Sequence, residues 1–364
     1  MKIAVVGAGL MGRLIALSLA RQGYQVCLYD KDNKQAKQSA AYAAGGLLTP
    51  LGESMSCEPN IVEMGFTSLK MWPELLATLD ENVYFQKQGA IMVSHEQDKG
   101  DYQRFVQHIE RNYGQCTVNA LNRQQLNELE PELTPQFNQG LFLPDEGQID
   151  NRKLLTALQK QLELEQVNWF TEAEVSQLKN QASHCQLTVY GQVQTFDLVI
   201  DCRGVGARKS YGEKQQTSSL HDLRAVRGEL FHLFAPEVHL SRPIRLMHPR
   251  YQLYIAPKPN HLYLVGATEI ESDDLSPMTV RSALELLSAA YSVNAGFAEA
   301  NIRQHISQLR PAFSDNQPKL LVNQRLIQVN GLYRHGFLIA PVMLKKVTLA
   351  VSQLDQKVVT GTSI

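Results

Sequence analysis

The chain opens with a short apolar run, residues 3–6, that breaks at Gly7-Ala8-Gly9-Leu10-Met11-Gly12. Apolar residues then resume at helical spacing as Leu14, Ile15, Leu17, Leu19 and Ala20. An unbroken apolar run reads as a strand buried on both faces, and the change to a 3.6-residue period reads as a helix. Gly23 marks the helix stop. Residues 26–29 predict a second strand ending at Asp30.

Further along, helical patterns cover about 61–80 and 101–113, and residues 141–149 predict a strand and turn. Asp150 is placed to cap a helix running to about 164. Residues 187–190 and 193–196 flank Gly191-Gln192, which predicts a hairpin, and 197–204 predict a second buried strand ending at a glycine. Antiparallel strands are expected at 229–234, 253–256 and 262–267, with Lys258-Pro259-Asn260 turning between the last two. Ser276-Pro277 predicts a helix start, with proline in its first position, running through about 291. Residues 302–309 read as extended and a terminal helix is expected over about 341–355. The small, glycine-rich stretch 39–54 reads from composition alone as a surface loop.

The opening unit carries chemistry. Gly7 permits a tight turn, Gly9 lets backbone approach a pyrophosphate, and Gly12 lets the helix pack close to the strand. The helix N-terminus then offers unpaired N–H groups to phosphate. Asp30 can accept hydrogen bonds from a ribose diol and would repel a 2′-phosphate, which disfavours NADP. This region leaves FAD and NAD both open.

Composition narrows the class. The 364 residues carry a formal net charge of -1 and 44% hydrophobic content, ample for a sizeable core and without the basic excess of a nucleic-acid binder. The five scattered cysteines show no CxxC or metal spacing, so a reducing, cytoplasmic setting is expected and no metal site. No apolar stretch is expected to reach the ~18 residues of a membrane helix. The N-terminus has no signal-peptide pattern.

The blocks together resemble the FAD-dependent D-amino-acid oxidase family, and within it the glycine oxidases of thiamine biosynthesis. The likeness runs from Met1 to about Pro341. It is carried by Gly7 to Gly12 with Asp30, by Ala43-Ala44-Gly45-Gly46-Leu47-Leu48, and by the blocks at 68–72 and 199–204. Leu253-Tyr254-Ile255-Ala256-Pro257, Leu264-Val265-Gly266-Ala267-Thr268, Leu309-Arg310-Pro311 and Tyr333-Arg334-His335-Gly336 complete it.

The resemblance implies a Rossmann-type α/β FAD-binding domain interleaved with a mostly antiparallel β substrate domain. The FAD-binding domain is expected from 1–80, 141–220 and 305–364, and the substrate domain from 81–140 and 221–304. FAD is implied as cofactor, held by Gly7, Gly9, Gly12, Asp30, Lys31, Gly45, Gly46, Leu47, Leu48, Val175, Gly204, His335, Gly336, Phe337 and Leu338. Arg334 is implied to bind a substrate carboxylate through its planar fork of donors. Tyr254 would line the substrate side and Arg310 the site entrance. The implied reaction is oxidation of a small amino acid or amine, with hydride transfer to flavin N5 and return of the electrons to O2 as hydrogen peroxide.

The chain also departs from the family. Val342-Met343-Leu344-Lys345-Lys346 follow Pro341 where relatives have a small residue and glycine. Lys319-Leu320 replaces an Ile-Gly-like ending, Leu332 stands in place of a histidine, and Glu269-Ile270-Glu271 follow the strand at Gly266. These changes motivate a second reading, a flavoprotein that oxidises residues of a partner protein in maturing a protein-derived quinone cofactor. An NAD-dependent dehydrogenase and a non-catalytic scaffold are the remaining alternatives.

Overall fold

The N-terminal periodicity folds as expected, into strand Lys2–Val6, helix Leu10–Arg21 and strand Gln25–Tyr29. The structure is a computed structural model that describes residues 1–208, 220–247 and 253–360. The expected segment 141–220 thus includes residues 209–219, and the expected segment 305–364 ends in 361–364, which lie outside the described residues.

A six-stranded sheet forms around the first strand, in the order Lys319–Asn323, Leu326–Asn330, Leu198–Asp201, Lys2–Val6, Gln25–Tyr29, Asn168–Phe170. All its pairings are parallel except that of the first two strands. A parallel sheet must be covered on both faces. One face is covered by helices Leu10–Arg21, Pro59–Leu76, Asn151–Leu164 and Gly336–Thr360, in a core that includes Ile3, Leu14, Trp72, Leu158 and Ile339. The other is covered by a three-stranded sheet that includes the expected hairpin, Cys185–Val189 with Gln192–Phe196. There Ala4, Val6 and Tyr29 meet Cys185, Leu187 and Phe196.

The second large sheet has nine strands and is antiparallel apart from one pair, Ile244–Met247 with Ala90–Ser94. Its longest pairing joins Arg224–Phe234 to Asn301–Ala312. Helix Val280–Val293 packs onto it through Leu286, Ala290 and Val293. The architecture is the expected one, a mostly parallel α/β unit interleaved with a mostly antiparallel β unit.

Several local expectations are corrected. The helix expected at Ser276-Pro277 begins instead after Thr279, whose side chain accepts from Ser282 N–H. The reason is Arg227, whose guanidinium donates to Asp274 O at 2.8 Å and Pro277 O at 3.1 Å and so holds this stretch out of helix. The 39–54 stretch is not a free loop. Leu47–Leu48 pairs with Gly147–Ile149, and much of the stretch lines an internal cavity.

The terminal helix begins at Gly336 and takes Pro341 into its interior. Pro341 has no N–H to give the carbonyl four residues back. Trp72, fully buried, supplies the missing donor: its Nε1 bonds Phe337 O at 3.0 Å. The stretch Tyr333–Gln356 is long and apolar enough to cross a membrane by length and composition, contrary to expectation. Lys345-Lys346 hide that run in the sequence. More than half of its most apolar 18-residue window is buried within the protein, as in a core helix.

Replacing Trp72 by Phe leaves the Phe337 carbonyl without its donor as well as shrinking a packed side chain. Urea unfolding should show a loss of about 2 kcal/mol or more. An unchanged midpoint would contradict this role for the indole.

Candidate functional site

A cavity of about 1210 Å³ opens at the carboxyl ends of the parallel strands, where Val6, Tyr29 and Cys202 reach its wall. That is where open α/β sheets bind ligands. Of the residues expected to hold the cofactor, Gly7, Gly9, Asp30, Lys31, Gly45, Gly46, Leu47, Val175, Gly204, His335, Gly336, Phe337 and Leu338 line it. Two do not. Gly12 lies behind the wall, where a Cβ would sit 1.7 Å from Gly7 O, so its part is helix–turn packing. Leu48 is wholly buried in the core.

The nucleotide end is built from backbone. Gly7 sits at φ +99, a conformation that L side chains rarely adopt. Gly9 is the N-cap of the first helix and offers no side-chain cap, so the first-turn N–H groups are left for a ligand. The Asp30 carboxylate accepts from Ala8 N–H and, at 2.7 Å, from Asp32 N–H. These two bonds fix it at the cavity edge.

At the far end, the cavity wall brings together Tyr254, Arg310 and Arg334. Tyr254 lies in the strand Leu253–Lys258, opposite Gly266. Its hydroxyl would be 2.5 Å from a Cβ on Gly45, so that glycine makes room for the ring. Gly228 does the same for the Arg310 guanidinium, which would lie 2.2 Å from a Cβ there. Arg310 Nη1 donates to Thr268 O at 3.1 Å. Burial and the neighbouring Arg334 pull its pKa below the ordinary arginine value.

Arg334 is held by two carboxylates. Its Nε lies 2.8 Å from Glu53 Oε2 and its Nη1 2.8 Å from Glu269 Oε2. Glu53 is gripped in turn by Arg245, with Nη2 to Oε1 at 2.8 Å, and Arg245 Nη1 donates to Thr49 Oγ1 at 2.8 Å. Burial would raise the Glu53 carboxyl, but Arg334 and Arg245 outweigh it and hold it at about 2. The same two acids outweigh burial at Arg334 and keep its guanidinium above the ordinary value.

Glu53, Arg245, Glu269 and Tyr333 were not singled out as site residues from the sequence. Glu269 gave a signal there as an acid at the end of an apolar strand and Tyr333 as the first residue of a family-like block, whereas Glu53 and Arg245 gave none. Tyr333 carries φ 51, uncommon for a residue with a side chain, and burial together with the nearby Glu269 carboxylate pushes its hydroxyl pKa up.

His335 sits in the wall, 2% exposed, and neither ring nitrogen has a partner among the described residues. Burial pushes its pKa down to about 4, so the ring is neutral at physiological pH. It precedes Gly336, the first residue of the terminal helix, which also lines the cavity. The positive end of that long helix therefore reaches the same space.

These features fit FAD. There is an uncapped helix start for a pyrophosphate and a fixed acid for a ribose diol. Unsatisfied imidazole nitrogens and a second helix N-terminus can serve a flavin ring. Gly9→Val tests the nucleotide end. The Gly9 backbone has φ -71, open to any residue, and a Cβ there would meet only Ser39 Cβ, at 3.8 Å. The variant should therefore keep its thermal stability and lose FAD affinity by about tenfold or more, read by quenching of flavin fluorescence. Unchanged FAD affinity would contradict the assignment.

Residues 2–348 match the family described as FAD dependent oxidoreductase. The chain is 35% identical over 348 residues to the putative thiamine biosynthesis oxidoreductase ThiO of Rhizobium etli, covering 95% of each protein. Among solved structures it is similar to glycine oxidase from Geobacillus kaustophilus, with TM-score 0.84 and 24% identity over 97% of this chain and 94% of that one. It is also similar to L-alpha-glycerophosphate oxidase from Mycoplasma pneumoniae with FAD bound, with TM-score 0.78 and 18% identity over 97% and 94% of the two chains. Nearly the whole length is thus accounted for within one group of flavoenzymes, and the chain belongs to the FAD-dependent oxidoreductase family, with FAD as its cofactor.

Proposed function

We propose that this enzyme oxidises a small, glycine-like amino acid or amine. The observation that carries the reading is the meeting of Arg334, Arg310 and Tyr254 on one wall of the cavity whose other end is the dinucleotide turn. Its similarity to a putative thiamine biosynthesis oxidoreductase and to a glycine oxidase supports a small substrate. FAD, when bound, supplies the hydride acceptor at N5, and O2 takes the electrons on with release of hydrogen peroxide.

The residues of the chain have the remaining tasks. Arg334 offers a planar set of donors to a carboxylate. Tyr254, close enough to feel both Arg310 and Arg334 electrostatically, can add a hydroxyl donor to the same group. Neutral His335 adds no positive charge to the cavity wall. Binding and orientation are enough, because holding a C–H bond in reacting geometry itself removes a large part of the barrier. Within this reading the six-stranded sheet and its covering layers form the FAD-binding domain. The nine-stranded sheet forms the substrate domain. A cytoplasmic site of action belongs to the same proposal.

The test is a peroxide assay of FAD-loaded protein against glycine, other small amino acids and their amines, with Arg334→Lys alongside. Lysine keeps the charge beside Glu53 but loses the fork. kcat/KM for the best amino acid should fall on the order of 10–100-fold, mainly through KM. Peroxide from none of these substrates, with FAD fully loaded, would overturn the reading and favour a residue on a partner protein as substrate.

A further inference from the structure

We propose that Glu269 is a specificity-determining residue, whose carboxylate occupies Arg334 as an internal substitute for the substrate carboxylate and is displaced when substrate binds. This rests on the reading of Arg334 given above and deepens it.

The two acids on Arg334 are unlike. The Glu53 side chain is 11% exposed and is fixed from behind by the buried Arg245. The Glu269 side chain is 43% exposed, lines the cavity, and contacts Arg334 through Nη1. Glu53 therefore orients the guanidinium, while Glu269 takes part of the donor surface turned towards the ligand.

The backbone beside Glu269 is anchored, which confines motion to the side chain. Thr268 N–H bonds Glu229 O at 3.1 Å, its Oγ1 bonds Glu229 Oε2 at 3.0 Å, and its carbonyl accepts from Arg310 at 3.1 Å. Thr268 and Glu229 are both buried. A rotation of the Glu269 side chain exchanges one carboxylate for another at Arg334, with no change in net charge there. A ligand without a carboxylate leaves the Glu269–Arg334 pair intact. The pair thus sets how strongly the site favours acids over simple amines.

The experiment measures acetate binding to the FAD-loaded protein by calorimetry, and KM and kcat for glycine, in the native protein, Glu269→Gln and Glu271→Gln. Glu271 is a control of equal charge. Its side chain is 64% exposed and pairs with Arg224 at 3.4 Å, away from Arg334. Acetate should bind Glu269→Gln about fivefold or more tightly than the native protein. KM for glycine should fall by a similar factor while kcat holds, and Glu271→Gln should behave as the native protein does.

Equal acetate affinity in Glu269→Gln and the native protein would overturn the proposal. So would an equal gain in both variants, which would mark a bulk charge effect, or no acetate binding in any of the three. If glycine is not oxidised at all, the proposed activity falls, but the acetate comparison still decides the role of Glu269.

Discussion

The Glu53 carboxylate, buried between the guanidinium groups of Arg245 and Arg334, ties the two halves of the molecule together at the cavity. Arg245 belongs to the strand Ile244–Met247 of the nine-stranded sheet. Arg334 lies in the short turn Tyr333–His335, between the six-stranded sheet and the terminal helix. Glu53 comes from a third segment, the turns after Leu47–Leu48. Taking one charge out of such a buried set typically costs about 3–5 kcal/mol. The three segments are thus held in one relative position, and the face that Arg334 turns to the cavity is set by a contact that no ligand need disturb.

The other constraint is room. At both ends of the cavity the wall is made by the absence of side chains. Gly7 and Gly9 bring backbone to the nucleotide end. Gly45 lets the Tyr254 ring lie against the segment 43–48, and Gly228 leaves space for the Arg310 guanidinium. Polar groups are then few and fixed, as ligand sites require. The terminal helix closes the arrangement. Its first residues form the wall, and its interior proline is accommodated because Trp72 bonds the carbonyl that the proline cannot serve.

The sequence was most informative where contacts are local. The strand, glycine turn, helix and second strand at the N-terminus are set by neighbours along the chain, and so is the hairpin around Gly191. Long-range constructions were hidden. Ile244–Met247 carries Arg245 in its middle and does not read as a buried strand until Glu53 is seen beside it. Ala90–Ser94 is buried at every position but too short to tell from any apolar run. The helix expected at Ser276-Pro277 was displaced by Arg227, fifty residues before Pro277 in the chain. Glu53 itself sits in a stretch whose composition is that of a loop. Arg334, Arg310 and Tyr254 could be named in advance only because their surrounding blocks resemble a family.

The most direct test of the account is an anaerobic titration of the FAD-loaded protein with glycine and a panel of small amines, following the absorption band of oxidised flavin near ~450 nm. The account predicts that one small amino acid bleaches the band rapidly and that air restores it with release of peroxide. A fully loaded flavin that no small amino acid or amine reduces would contradict it.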